Sequence, residues 1–208
     1  MHVLKKQLIA ASLPLMVMFA MPAHASQCDF TPDKEGFDFS FTAFGAPDKS
    51  YVVSGNRFTK YEVASESGKL LNATIDIDAS SLDTSHDLSN GMGGEWPDSI
   101  PPVRNENVVK NLFMNFVDPG TIQAKIVEIK DGELSLDVTM NGETRTVPMS
   151  YEVVDGKLQA KGSLDILDFN ASEAFKKFEA VCTTIWHKGK TWSTVDLTFT
   201  VPVEEAGC

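Results

Sequence analysis

The chain has 208 residues, with 18 basic and 29 acidic side chains and a formal net charge of −11. This acidity argues against binding to nucleic acid or to an anionic membrane surface, because phosphate contacts need clustered Lys and Arg. The length suits one domain with a sizeable core, and solubility alone accounts for the excess of acids.

The first 25 residues are typical of an export signal. A lysine pair at 5–6 precedes an apolar run at 8–21, and Ala-His-Ala at 23–25 has the small-x-small pattern that signal peptidase cleaves. We expect cleavage after Ala25 and one exported, soluble domain over residues 26–208, in the periplasm if the source is a Gram-negative bacterium. Neither this stretch nor any later one is long and apolar enough to span a bilayer, so no stable membrane insertion is expected.

Alternation of apolar and polar residues predicts eight β-strands, because a period of two places all the apolar side chains on one face. The pattern is strictest at 71–79 and at 195–203. Weaker versions begin near residues 37, 51, 122, 134, 144 and 158. Nearly every link between them reads as a turn, so the strands form an antiparallel meander.

Individual Gly, Asn and Pro residues add detail to these strands. Asn141-Gly142 and Asp155-Gly156 predict tight hairpins, the first by the strongest short hairpin signal. Gly55 predicts a bulge or bend in the second strand, and Pro148 predicts a bulge or a sheet edge.

Two segments favour helices. Apolar residues at helical spacing predict a short helix over Asn105 to Phe113, and Asn170 to Ile185 changes to the same period with Ser172 as N-cap. Before the first helix, residues 90–102 contain several Gly and Pro breakers around Trp96. Trp96 either covers a cavity mouth or pins the long loop to the surface.

An exported meander of eight amphipathic strands favours a closed barrel, which removes exposed sheet edges. We therefore predict an all-β fold, an eight-stranded antiparallel up-and-down, lipocalin-like barrel with one or two short helices. The interior of such a barrel is either filled by side chains or holds one small ligand. Both interpretations stay open at this point.

Three cysteines remain after processing, and an oxidising compartment favours at least one disulfide. In a barrel with an even number of strands, the first strand starts at the end where the last one finishes. Cys28 and Cys208 flank these two strands, whereas Cys182 precedes the last strand. We predict a disulfide between Cys28 and Cys208, with Cys182 free.

Several stretches together resemble the YceI-like family of exported polyisoprenoid-binding proteins. Their order along almost the whole mature chain carries the resemblance. The stretches are Val53-Ser54-Gly55-Asn56-Arg57-Phe58, Ile75 to Ser85, Arg104-Asn105-Glu106-Asn107-Val108 through Phe113, Gly132 to Leu136, Asn141-Gly142-Glu143-Thr144 with Val147-Pro148, and Leu164 to Phe169. Two departures from the family pattern are an insertion at 91–103, near the expected tunnel mouth, and a longer excursion at 171–192.

The resemblance implies an extended lipocalin-like barrel whose tunnel holds a polyprenyl chain, a prenyl quinone or a fatty acyl chain for carriage, storage or stress response. Burying a methylene yields roughly 0.8 kcal/mol, so such a tail needs few polar contacts. The alternative is a non-catalytic structural or interaction barrel with a filled core. The lipid would be the only bound cofactor or partner, and a homodimer is compatible with the sequence. The candidate tunnel-lining residues are Phe39, Phe41, Val53, Phe58, Ile75, Ile77, Ile126, Leu136, Val138, Met149, Tyr151, Leu164 and Phe199.

The sequence gives little support to catalysis. Only His86 and His187 remain after processing, and neither they nor the cysteines have metal-ligand spacing. Cys182 and His187 could form a nucleophile and its base across a helix end, but we interpret them as a buried structural thiol and an exposed loop histidine. We expect no catalytic residues, no metal and no enzymatic activity.

Overall fold

The computed structural model describes Cys28 and residues 30–90, 93–182 and 185–205. The predicted export signal lies outside these ranges and stays a prediction. Within the described ranges, no helix is long and apolar enough to cross a membrane.

The described residues form a single curled antiparallel sheet of eleven strands with two α-helices. The strands are β1 (Phe30–Pro32), β2 (Asp38–Gly45), β3 (Tyr51–Phe58), β4 (Tyr61–Ala64), β5 (Thr74–Asp78), β6 (Leu82–Asp83), β7 (Thr121–Lys130), β8 (Glu133–Met140), β9 (Glu143–Val154), β10 (Lys157–Asp165) and β11 (Thr194–Glu205). The helices are α1 (Ile100–Asn111) and α2 (Ser172–Val181). The sheet order is β4-β5-β7-β8-β9-β10-β11-β2-β3-β6, and β1 pairs with the end of β11.

The predicted count of eight strands is wrong, because two long strands are each broken and β1 is an additional strand. The break between β5 and β6 starts where the Asp78 carboxylate accepts a hydrogen bond of 2.9 Å from Ser80 N, which opens a 3-10 turn at Ala79–Ser81. The backbone hydrogen bonds continue past the breaks, from Thr59 N to Ser81 O and from Asp78 N to Lys60 O. The sheet therefore curls until β3 and β4 lie against β5 and β6.

One end of the curled sheet is filled by the short segment that precedes β2. Phe30 is only 1% exposed and meets the Tyr151 ring edge-on at 5.9 Å. Phe37 stacks on Phe199, with ring centres 5.4 Å apart. This end of the interior is a packed apolar core.

The turns follow the sequence predictions. Asn141 and Gly142 both have positive φ, and so do Asp155 and Gly156, as tight hairpins require. The register of β2 and β3 shifts beside Gly55, which confirms the bulge.

Pro148 pairs with Ser135 of β8 on one side, but the ladder to β10 ends at Met149 and Gly162. Pro148 therefore lies at a free edge, which suits a residue that lacks a backbone N–H.

Both helices differ from their predicted bounds. α1 begins at Ile100 rather than Asn105, with prolines at its first positions. A backbone N–H has no partner within the helix at these positions, so a proline costs no hydrogen bond there. α2 begins at Ser172, so the N-cap is Ala171 and Ser172 caps nothing. The earlier start of α1 brings part of the 91–103 insertion into the helix.

Cys28 and Cys182 lie in different parts of the fold. Cys28 lies just before β1, whose Phe30 pairs with Glu205 at the end of β11. Cys182 is free, at the end of α2. The predicted bond from Cys28 to Cys208 stays a prediction, since Cys208 lies outside the described residues.

Candidate functional site

The interior of the curled sheet contains two adjacent apolar cavities of about 210 Å³ and 130 Å³. We call them the upper and the lower cavity. Phe41, Phe113, Ile166 and Val195 line both. One ligand could therefore extend from the first cavity into the second.

The lower cavity lies between the strands. Its wall is apolar except at Ser40 and Thr198, and side chains from facing strands form most of it. Alternation explains this wall directly, because every second residue of a half-buried strand points inward.

The upper cavity lies under the two helices and the loops beside them. α1 is fixed across this end of the sheet by Asn105, whose Oδ1 accepts a hydrogen bond of 3.0 Å from Thr84 N. Val103 in α1 and Trp186 after α2 line the cavity and are 58% and 44% exposed. The cavity mouth is therefore at the helical end, opposite the end filled by Phe30.

Trp96, Ile100 and Val103 of the 91–103 insertion form part of this upper cavity. Trp96 is 4% exposed and packs against Tyr51 at 5.2 Å and against Trp186 at 5.3 Å. Of the two sequence interpretations, a cavity-lining Trp therefore fits better than a surface pin.

Ten of the thirteen predicted tunnel residues line a cavity, and three do not. Val53 lines the upper cavity only and Phe41 lines both. The residues that line the lower cavity only are Phe39, Phe58, Ile77, Leu136, Val138, Met149, Leu164 and Phe199. Contact between these side chains and a lipid stays a prediction.

The other three, Ile75, Ile126 and Tyr151, lie in or against the packed apolar core, outside the lining of these two cavities. For Tyr151 the reason is the Phe30 segment, which contacts the Tyr151 ring directly and fills that end of the interior. Strand alternation predicts the inward direction of a side chain, but it does not show how far the empty space extends.

Sequence reasoning missed the polar residues of the upper cavity, of which Arg104 is the most important. Its three guanidinium nitrogens are buried and have no hydrogen-bond partner in the described part of the chain. The guanidinium carbon lies 5.4 Å from the Trp96 ring centre and 6.0 Å from that of Tyr51. The sequence signal that could have identified Arg104 is a single cationic residue, between Val103 and Val108, on a helix face that is otherwise neutral.

Asn56 is a second buried polar residue of this cavity. Its Nδ2 donates to Phe41 O at 3.0 Å and to Val53 O at 2.7 Å, and these bonds hold the bulge beside Gly55. Its Oδ1 is buried without a partner in the described residues. Because Nδ2 makes both backbone hydrogen bonds, Oδ1 is the amide atom that faces away from the backbone.

His187 is buried rather than exposed, which corrects the interpretation of it as a surface residue. His187 is 7% exposed, and its ring centre lies 4.3 Å from that of Tyr51. Its Nδ1 lies 3.1 Å from Thr191 Oγ1, within hydrogen-bond distance. Burial lowers the pKa of His187, and the nearby Arg104 cation lowers it further. His187 is therefore neutral at physiological pH.

Cys182 lines the same cavity, but its thiol is not activated. Burial raises the pKa of Cys182 to about 11, although a hydrogen bond with Thr191 acts in the opposite direction. A nucleophilic cysteine needs a lowered pKa. Thr191 contacts both residues, so Cys182 and His187 lie near each other without forming an activated pair.

A metal site is absent from the part of the chain that the structure describes. No cluster of three or more His, Cys, Asp or Glu side chains occurs there with a geometry that could hold an ion. The chemistry that the cavities offer is burial of apolar groups, with one unpaired cation near the mouth.

Solved structures with a similar fold are known. The fold is similar to that of a polyisoprenoid-binding domain from Saccharophagus degradans implicated in plant cell wall breakdown. The TM-score is 0.53 at 11% identity, over 86% of this chain and 99% of that one. BcnA of Burkholderia cenocepacia is similar with a TM-score of 0.46 at 16% identity, over 80% and 96% of the two chains. A search of the curated proteins found no match.

The sequence itself matches a family model. The match is to the YceI-like domain and extends over residues 29–203, which is most of the chain and nearly all of the described structure. It spans every strand that lines the cavities and both helices over the upper cavity. The chain belongs to the YceI-like domain family.

Proposed function

We propose that this protein is exported and binds one long-chain apolar lipid, a polyprenyl, prenyl quinone or fatty acyl chain, in its adjacent cavities. The observation that carries the proposal is the lower cavity, a space of about 130 Å³ with a nearly all-apolar wall. Carriage, storage or protection during stress would each use such a site.

An empty apolar cavity is costly, and this favours an occupant. At roughly 24 cal/mol per Å³, an unfilled lower cavity costs about 3 kcal/mol. Typical domains are stable by only about 5–15 kcal/mol. A buried alkyl chain would recover much of this cost, because each buried methylene contributes about 0.8 kcal/mol. The same argument counts against a structural barrel with a filled core.

The geometry supports a lipocalin-like barrel, if each broken strand is counted together with its continuation as one of eight. The pair β3 and β4 acts as one bent strand, and so does the pair β5 and β6, because hydrogen bonds between the two pairs continue past both breaks. The similar fold of a polyisoprenoid-binding domain supports an isoprenoid as one class of ligand. The two cavities together reach only the lower end of the usual range of about 300–1,000 Å³ for ligand pockets, so we infer a chain of moderate length.

We infer that the protein is not an enzyme. Its one cysteine in the cavity wall holds its proton, and neutral His187 bonds Thr191 rather than the thiol. Binding alone accounts for the apolar wall.

Organic extraction of the purified protein, followed by mass spectrometry, tests the proposal. We expect one lipid per protein in native spectra, and a purified mature chain from the periplasm that begins at Ser26. Reloading the extracted protein with a series of alcohols of increasing chain length should give an affinity maximum at moderate length. A protein that yields no lipid and binds none of the series would contradict the proposal.

A further inference from the structure

Arg104 is an uncompensated cation inside the upper cavity. A guanidinium cannot lose its proton in a protein. The structure nevertheless buries all three of its nitrogens without a hydrogen-bond partner or ion pair in the described part of the chain. Arg57 shows the ordinary arrangement, since its Nη2 pairs with Asp38 Oδ2 at 3.0 Å. A buried charge without a partner is strongly unfavourable, so a missing anion explains Arg104 best.

The surroundings of Arg104 hold the cation without neutralising it. Trp96 and Tyr51 present their rings to it at 5.4 and 6.0 Å. Ring faces attract a cation, but they leave its N–H groups unbonded. His187 of the same cavity wall is neutral and supplies no negative charge.

A second unpaired donor lies beside the first. The indole Nε1 of Trp96 is buried without a partner in the described residues, and Trp96 lines the same cavity as Arg104. Both residues can only donate hydrogen bonds. Asn56 Oδ1, the unpaired acceptor of this cavity, cannot bind an anion itself. The two donors together fit an oxyanion.

The position of Arg104 suits the head of an amphiphile. It lines the upper cavity, beside the exposed residues Val103 and Trp186 of the mouth, and not the lower one. A tail in the lower cavity would place its head group in the upper one. We propose, on the basis of the lipid binding proposed above, that Arg104 binds an acidic head group, a carboxylate or a phosphate, with Trp96 Nε1 as a second donor.

Paired lipids with and without a charge test this assignment. The extracted full-length mature protein would be titrated with palmitate and hexadecanol, and with farnesyl phosphate and farnesol, followed by calorimetry. Wild-type protein should bind at least one acid about tenfold to a hundredfold more tightly than its alcohol, since a hydrogen bond to a charged group contributes that much. The acid that shows the preference identifies the head group as carboxylate or phosphate.

Arg104→Met should abolish the preference and leave binding of the alcohol unchanged. Arg57→Met is the matched control, because Arg57 lies outside both cavities, and it should keep the preference. The melting temperature of lipid-free Arg104→Met should equal or exceed that of wild type, because the variant removes a buried unpaired charge. An Arg104→Gln variant provides the same comparison with a polar side chain.

Three results would overturn the assignment. If wild-type protein binds acid and alcohol equally, or if Arg104→Met keeps the preference for acid, Arg104 does not bind the head group, and lipid binding itself stands. If wild-type protein binds none of the four lipids, lipid binding fails together with the assignment.

Discussion

Phe39 of β2 and Phe199 of β11 lie directly opposite each other, with ring centres 5.2 Å apart and planes within 12° of parallel. Phe199 also stacks on Phe37, so it joins the packed end of the interior to the wall of the lower cavity. Phe199→Ala should lower the free energy of unfolding by about 3–5 kcal/mol in urea titrations. Val154→Ala on the exposed side of β9 should change it by less than about 0.5 kcal/mol. Equal effects would contradict this role of the stack.

Gly162 marks the point where β9 and β10 separate. A Cβ atom at this position would lie 2.8 Å from Pro148 O and from Met149 Cγ. The backbone oxygen cannot move away easily, so Gly162→Ala should cost about 1–3 kcal/mol in the same titrations. Lys161→Ala, one residue earlier and exposed, is the control. A Gly162→Ala protein as stable as wild type would mean that the two strands can separate further.

Local sequence patterns could predict the strands and hairpins, because alternation and turn residues act within a few residues of the chain. They could not predict the strand count. The break at Ala79–Ser81 depends on the Asp78 side chain bonding Ser80, and β1 forms only because β11 is available to pair with it. The start of α1 was missed because prolines can either end a helix or begin one.

The cavity wall was predictable only where strands form it. Residues such as Leu136 and Val138 point inward by alternation and do line the lower cavity. Ile75 has the same pattern, but lies in the packed interior. The upper cavity depends on how α1 and the long loops cross the sheet, and no local period encodes that. Arg104 could therefore be placed next to a predicted helix from the sequence, but not beside Trp96.

The pKa of His187 should make stability fall in mild acid. An unfolded histidine has a pKa of about 6.5, and burial lowers the folded value. Between these two values the unfolded chain binds more protons, so the free energy of unfolding decreases as the pH falls through about 6.5 towards the lower folded pKa. His187→Gln, which keeps an acceptor for Thr191, should show a smaller decrease in denaturant titrations across this range. The same slope in both proteins would contradict the sign or size of the shift.

Cys182 should be a slow thiol. Because the folded pKa is about 11, its thiolate at about pH 7.5 is roughly a hundredfold scarcer than in an unfolded chain. Iodoacetamide should therefore label the Cys182 peptide about a hundredfold more slowly in the folded protein than in guanidinium chloride, as read by mass spectrometry. Labelling as fast as that of the unfolded chain would show an activated cysteine and would reopen the enzymatic interpretation.

The most direct test of lipid binding is to fill the lower cavity from inside. Ala124 of β7 lines it, whereas Ala64 of β4 is exposed, so Ala124→Phe and Ala64→Phe make the same substitution in the two environments. Affinity for hexadecanol, measured by calorimetry on extracted protein, should fall at least tenfold in Ala124→Phe and stay at the wild-type value in Ala64→Phe. Wild-type affinity in a folded Ala124→Phe protein would contradict the claim that the lipid tail occupies this cavity.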